Sequence, residues 1–146
     1  MIRRAKADDV PQLKSLMLEY IVDFYLQPTP PDADLTALIE TLLQGRDGVQ
    51  LVADDDGTLA GFATLYFTWS SLRPGRRVVM NDLYVAEGHR GSGVAADLFA
   101  GCIEESRRLG ANEMNWETAP DNHRAQRFYE KVGGSREDWL VYTIEP

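Results

Sequence analysis

A single mixed α/β domain is the fold this sequence predicts, and three observations carry it. Strand-like and helix-like apolar patterns follow one another along residues 1–146 in the order β-α-α-β-β-β-α-β-α-β, with period 2 in the first kind and period 3.6 in the second. The middle strands are joined by short turns, as antiparallel neighbours are, whereas the strand before Arg90–Ala95 is separated from the next by a full helix, as a parallel crossover requires. A length of 146 residues fills one domain with a real core and leaves none for a second. The expected sheet is therefore mixed, antiparallel in its N-terminal half with one β-α-β crossover, and flanked by about four helices.

Each element has its own local reason. Ile2 to Ala5 reads as a short first strand, and Asp8 or Asp9 can cap a helix whose inner face is Leu13, Leu16, Met17, Tyr20, Ile21 and Phe24. Gln27-Pro28-Thr29-Pro30-Pro31 stops it, because proline removes donors and fixes φ. Asp32 or Asp34 opens a second helix through Leu35, Leu38, Ile39, Leu42 and Leu43, ended by Gly45. Val49–Ala53 and Leu59–Trp69 are strands joined by Asp54-Asp55-Asp56-Gly57, a hairpin signal. The Ser70–Gly75 loop leads into Val78–Val85, rich in β-branched and aromatic residues. Beyond the glycines, Val94, Ala95, Leu98, Phe99, Cys102 and Ile103 recur at helical spacing and leave Glu104, Arg107 and Arg108 outside. Met114, Trp116 and Thr118 alternate with Glu113, Asn115 and Glu117 as in a half-buried strand. Asn122 or Asp121 caps a short helix with Ala125, Phe128, Tyr129 and Val132 inward, Gly133-Gly134 ends it, and Trp139–Ile144 is expected to close the chain as a strand.

Composition narrows the function classes. The formal charge of −8 argues against general nucleic-acid binding and suits either simple solubility or attraction of a cationic small molecule. No apolar run approaches the roughly 20 residues of a membrane span, and Met1–Lys6 lacks the apolar core of a signal peptide. Cys102 is the only cysteine, so no intrachain disulfide forms and a cytoplasmic setting is expected, with the thiol as a packing residue. His89 and His123 have no ligand company at useful spacing, so no metal site is expected.

The chemistry concentrates at Arg90-Gly91-Ser92-Gly93-Val94-Ala95, between a strand and a helix start. Glycines let backbone approach a ligand closely, first-turn N–H groups and the helix dipole face an anion, and Arg90 adds a planar cation suited to phosphate oxygens. A phosphorylated ligand is the expectation. Gly91-x-Gly93-x-x-Ala96 also satisfies a dinucleotide fingerprint, with Glu117 as a ribose partner. That reading needs a larger parallel sheet and gives Asn122–Tyr129 no role.

Two segments together are more specific. Arg90-x-x-Gly93-x-Ala95, after Asp82-Leu83-Tyr84-Val85, resembles the acetyl-coenzyme A signature of the GCN5-related N-acetyltransferases (the GNAT family). Asn122-x-x-Ala125-x-x-Phe128-Tyr129-x-Lys131-x-Gly133 resembles that family's second signature, and the resemblance spans residues 1–146 as one acetyltransferase domain. Within the family, Gly61-Phe62-Ala63, Trp69-Ser70-Ser71, Asn81–Val85 and Asn122–Gly134 followed by Trp139 are similar to the diamine and thialysine acetyltransferases. Asn81 departs from the glutamate usual there, which puts polyamine preference in doubt.

The resemblance implies an enzyme that moves acetyl from acetyl-coenzyme A to a primary amine of a small cationic acceptor, polyamine- or amino-acid-like, working as a homodimer without nucleic acid or membrane. It places the cofactor's pantetheine arm along Leu83-Tyr84-Val85 and its pyrophosphate on Arg90, Gly91, Ser92, Gly93, Val94, Ala95 and Ala96, bordered by Asn122 and Ala125. Tyr129, a phenol of ordinary pKa about 10, is the candidate acid for the departing thiolate. An alkyl amine arrives protonated, and Asp82 or Glu117 is the candidate base; Asp82 lies beside the implied carbonyl site. Phe24, Tyr25, Trp69, Asn81, Asp82, Glu137, Asp138 and Trp139 are the implied acceptor residues. Each has an ordinary alternative: the aromatics as packing, Glu117 as a solvated strand carboxylate, Asn122 as a helix cap. Two other readings follow from the same residues, a non-catalytic acyl-coenzyme A binding module and the dinucleotide-binding domain.

Overall fold

Hairpins build most of the sheet, and one helix crossover completes it. In the computed structural model, which describes residues 1–146, β1 (Ile2–Arg4), β2 (Gly48–Asp55), β3 (Thr58–Ser70), β4 (Gly75–Val85) and β5 (Glu113–Asn115) lie side by side in that order. The first three junctions are antiparallel and β4–β5 is parallel. The expected mixed sheet is therefore present, with α3 (Val94–Leu109) as the crossover. A doubly wound dinucleotide-binding sheet is not, since only one junction is parallel. The chain divides into two compact units, Met1–Trp116 and Glu117–Pro146.

In the first unit, α1 (Val10–Leu18) and α2 (Asp32–Leu43) cover one face of the sheet. Leu13, Leu16, Met17, Leu35 and Ile39 pack on Val52, Leu59, Phe62 and Tyr84. The expected continuation of α1 to Phe24 is helical but changes pitch. Glu19–Phe24 is a π-turn, closed by the Tyr25 N–H on Tyr20 O at 3.1 Å, and such turns often mark functional positions. On the opposite face, α3 buries Leu98, Phe99 and Cys102. Gly61 and Gly101 allow that approach: a Cβ at Gly61 would meet Leu98 Cδ1 of α3 at 3.3 Å, and one at Gly101 would meet Ile2 Cγ2 at 2.8 Å. Burial pushes the Cys102 thiol up to about 12, in keeping with a packing role.

The helix entry is held by charge. Asp9, 4% exposed, accepts two bonds from the Arg3 guanidinium (2.6 and 2.8 Å) and one from the Lys6 N–H (2.8 Å). The Arg3 hydrogen bond is the largest influence holding the Asp9 carboxyl below its ordinary 3.8. The native state therefore binds fewer protons than the unfolded chain, and this contribution, present above pH 3.8, is lost as pH falls toward the native value. Asp9→Ala leaves the Lys6 N–H unpaired and Arg3 with Asp54 as its remaining carboxylate, and we expect about 2 kcal/mol of destabilisation in urea melts at neutral pH. That difference from the parent narrows below pH 4.

In the second unit, α4 (His123–Lys131) is capped as expected by Asn122, whose Oδ1 accepts the Ala125 N–H at 3.1 Å. Gly133, at φ +94°, ends it. The expected closing strand does not form: residues 135–146 carry no regular element, with Trp139 at 74% and Ile144 at 88% exposure. Alternation alone does not fix an extended chain. A strand needs a neighbour to take its N–H and C=O groups, and none of the five strands comes from this segment. Likewise the strand expected over 113–118 stops at Asn115, and Phe128 is half-buried rather than core.

Candidate active site

Strict alternation along Val78–Val85 would put Met80, Asp82 and Tyr84 on one face. The register says otherwise. Leu65 opposes Met80 while Thr64 opposes Asp82, leaving Asn81 as an extra residue in β4. Directly opposed residues share a face, so this bulge turns Asp82 from the Leu65 side to the Thr64 side. There Gln50, Thr64 and Asp82 lie in register across β2, β3 and β4, and all three are buried.

Gln50 Nε2 donates to Thr64 Oγ1 (3.2 Å), and the Thr64 and Tyr20 hydroxyls lie near enough to the Asp82 carboxyl to favour its ionised form. Asn81 Nδ2 donates to Asp82 Oδ1 at 2.9 Å. Burial raises the Asp82 pKa above its ordinary 3.8, and these polar neighbours pull it partly back. The carboxyl is thus a stronger base than a solvated one.

The π-turn walls the site with rings. Tyr20 meets Tyr25 (4.9 Å), Phe62 (5.9 Å) and Tyr84 (5.8 Å), and Phe24 meets Tyr25 at 5.0 Å. Phe24 and Tyr25 are the exposed rim, at 48% and 43%. The Tyr84 hydroxyl donates to Glu19 Oε2 (3.2 Å), and burial with that carboxylate nearby raises its pKa. Aromatic faces beside carboxylates form a setting for an alkylammonium.

From the same bulge onward β4 loses its parallel neighbour. β5 pairs only with Arg77, Val78 and Val79, so along Leu83-Tyr84-Val85 one edge of β4 has no strand beside it. The chain then turns through a short 3₁₀ segment into Gly91 (φ +79°) and Gly93 (φ +94°). A Cβ at either glycine would meet nothing within 4 Å. Gly93 is the N-cap of α3 and supplies no side-chain bond to its first turn, so those N–H groups are left for a ligand. Arg90 is anchored beside them, its Nε donating to Val85 O (3.1 Å) and its guanidinium 5.7 Å from the Tyr84 ring centre. Ser92 donates to His89 O. An open strand edge leading to an uncapped helix start with open space before its glycines fits a long ligand ending in phosphates.

The family comparison decides what this is. Residues 13–134 match the Acetyltransferase (GNAT) family model. The chain belongs to that family. It is an N-acetyltransferase, and acetyl-coenzyme A is its acyl donor, as the cradle's geometry admits. The acetyltransferase is 28% identical over 141 residues to the uncharacterized N-acetyltransferase YhfO of Bacillus subtilis, covering 97% of this chain and 93% of the relative. A 78-residue stretch, 53% of this chain and 48% of the relative, is 37% identical to the D-amino-acid N-acetyltransferase HPA3 of Saccharomyces cerevisiae. Among solved structures, a probable acetyltransferase superposes with TM-score 0.86 at 31% identity, covering 100% of this chain and 97% of that one. The structure of AAC(6')-Iy with a bisubstrate analog superposes with TM-score 0.87 over 100% of this chain and 97% of that one. At 22% identity that second likeness speaks for the fold. A thialysine N-epsilon-acetyltransferase of Bos taurus matches only 60% of this chain at 24% identity, so the expected closeness to diamine and thialysine enzymes has weak support.

In the first unit the fold of the acetyltransferase joins Asn81 to Asp82 and gathers Phe24 and Tyr25 around Tyr20, and β4 runs from Leu83–Val85 toward Arg90–Ala96. It does not bring Trp69 to them. Trp69 is five residues along β3 from Thr64, about 16 Å at strand rise, and its ring is covered by the Arg76 guanidinium at 4.7 Å. In the second unit, Asn122 and Ala125 make the α4 cap, Tyr129 packs on Phe128 (5.4 Å) and Glu137 is exposed. Sequence reasoning missed Gln50, Thr64 and Tyr20. A signal existed for two of them, since Gln50 and Thr64 are polar residues inside otherwise apolar strands.

Proposed function

We propose that this N-acetyltransferase acts on a primary amine of a small cationic acceptor, polyamine- or amino-acid-like, with Asp82 as the base and Tyr129 as the acid. The buried Asp82 carboxyl carries this reading: the bulge delivers it, Asn81 donates to it, and its neighbour Tyr20 packs against the exposed Tyr25 and Phe24 rings. An ammonium near pKa about 10.4 must lose a proton before it can attack. Asp82 receives it directly or through one water, while the aromatic rim lowers the cost of desolvating the alkyl chain. When bound, acetyl-coenzyme A supplies the thioester carbonyl that the amine attacks. The open edge at Leu83–Val85 and the α3 start with Arg90 would hold it, and Asn122 and Ala125 would border it. Tyr129 returns a proton to the sulfur. Trp69 and Glu137 remain proposed acceptor contacts on resemblance alone, and Glu117 is left as a solvated carboxylate. The charge of −8 draws the acceptor in and disfavours nucleic acid. We further take residues 1–146 as one domain that works as a cytoplasmic homodimer, which sedimentation would test.

The test is coenzyme A release from acetyl-coenzyme A against spermidine, diamines, lysine analogues, amino acids and aminoglycosides. Amine-dependent release is the expected result and names the acceptor class. Silence across the panel, with acetyl-coenzyme A binding intact, would overturn the acceptor assignment. Tyr129→Phe is expected to lower kcat at least tenfold while the acetyl-coenzyme A dissociation constant, read by calorimetry, stays within twofold. Full turnover would remove Tyr129 as the acid.

A further inference from the structure

Arg3, Arg4, Arg73, Arg77, Arg107 and Arg108 are each paired with a carboxylate, which fixes them and offsets their charge. Arg90 is held differently. Its Nε donates to Val85 O at 3.1 Å, and its guanidinium carbon lies over the Tyr84 ring, 5.7 Å from the ring centre. A carbonyl and a phenol are both neutral, so Arg90 is anchored while its positive charge stays unpaired, and no ion pair takes its terminal nitrogens. The Tyr84 ring is itself immobile. It is 7% exposed and packs on Tyr20 (5.8 Å), Phe62 (6.0 Å) and Phe24 (6.4 Å), and its hydroxyl donates to Glu19 Oε2 at 3.2 Å. The π-turn and β3 thus fix a ring whose electron-rich face attracts the cation.

We propose that Tyr84 is a positioning residue for donor binding: its ring, fixed by Glu19 and the surrounding aromatics, pre-orders the Arg90 guanidinium for the coenzyme A phosphates without neutralising it. This rests on Arg90 meeting those phosphates, and the two are separable by experiment. An exposed arginine that must order itself around an anion gives up rotamer freedom on binding, and one already held gives up less. A carboxylate in the place of the ring would hold Arg90 as firmly but would compete with the phosphates for its charge. The aromatic ring fixes the cation and leaves its N–H donors to the ligand. Tyr84 accordingly acts through Arg90 and not by touching phosphate.

The test varies the charge on the ring face while nearly keeping its shape, and it needs no turnover. Tyr84→Phe is the reference, compared with phenylalanines carrying two and five ring fluorines placed at the same position by genetic-code expansion. Fluorine draws electrons from the ring face and weakens its hold on a cation. We expect the coenzyme A dissociation constant, read by calorimetry, to rise stepwise with fluorination, reaching about fivefold above the reference with five fluorines. Arg90→Ala alone should weaken coenzyme A binding at least tenfold, and in that background the fluorine trend should vanish. A purely structural role for the ring would leave the same trend in both backgrounds, and that outcome, or a flat series in the Arg90 protein, would overturn the positioning role. If the protein with five fluorines does not fold, the two-fluorine protein decides, with about a twofold rise expected. Parental coenzyme A affinity in Arg90→Ala would instead sink the phosphate assignment on which the inference rests.

Discussion

Gly93→Val is expected to give a folded acetyltransferase that no longer binds coenzyme A. The left-handed φ of +94° at this position disfavours a β-branched residue, at a cost of order 1–3 kcal/mol. Nothing in the protein would collide with the new side chain, because a Cβ there meets no atom within 4 Å. The valine instead fills the space in front of the first turn of α3, where the N–H groups have no side-chain cap. The expected result is a loss of affinity of at least 100-fold by calorimetry, with a melting temperature lowered by only a few degrees. Coenzyme A should no longer raise that melting temperature, whereas it stabilises the parent by mass action. Gly48 offers the contrast. A Cβ there would strike Leu65 O at 2.1 Å, so substitution at Gly48 should fail by unfolding rather than by lost binding. Normal coenzyme A affinity in Gly93→Val would show that the phosphates are held elsewhere.

Asp82→Asn should separate activity from stability in the opposite direction to a core mutation. Removing a general base is worth about 100-fold or more in kcat/KM, and that loss is expected at neutral pH. The protein itself should be at least as stable as the parent. Burial raises the Asp82 pKa above 3.8, so the native state binds its proton more tightly than the unfolded chain does. The stabilisation from this group is fully present below pH 3.8 and is lost as pH rises through the native value. Above its native value the carboxyl therefore costs stability that an amide does not. Melting temperatures of Asp82→Asn should equal or exceed the parent's at pH 7, with the gap closing as pH falls toward 4. A variant that kept full turnover would return Asp82 to the status of a buried structural carboxyl. One that lost both activity and several degrees of melting temperature would show the buried carboxylate itself to be stabilising.

Much of this was legible because the forces concerned are local. Period and turn chemistry located β1 to β4 and α1 to α4 within a few residues, since a helix face or hairpin turn is written in neighbouring positions. Asn122 could be read as a cap because its partner, the Ala125 N–H, is three residues away. The Trp139–Ile144 expectation went astray for the complementary reason: its alternation is local, but a strand is a relation to another strand.

From the sequence alone came the family, the glycine cradle and the identity of Asp82 as a chemically interesting carboxylate. These rest on short motifs whose glycines and side chains have meaning in any matching fold. Only the tertiary structure decided which way Asp82 faces. One extra residue, Asn81, reverses the face of everything after it in β4, and no composition or period announces a bulge. The same register brings Gln50 and Thr64 into line with Asp82 from 32 and 18 residues away. It also leaves the β4 edge open beyond Val79. Those are consequences of which strand lies beside which, and hydrogen bonding across a sheet is a long-range property of the folded chain.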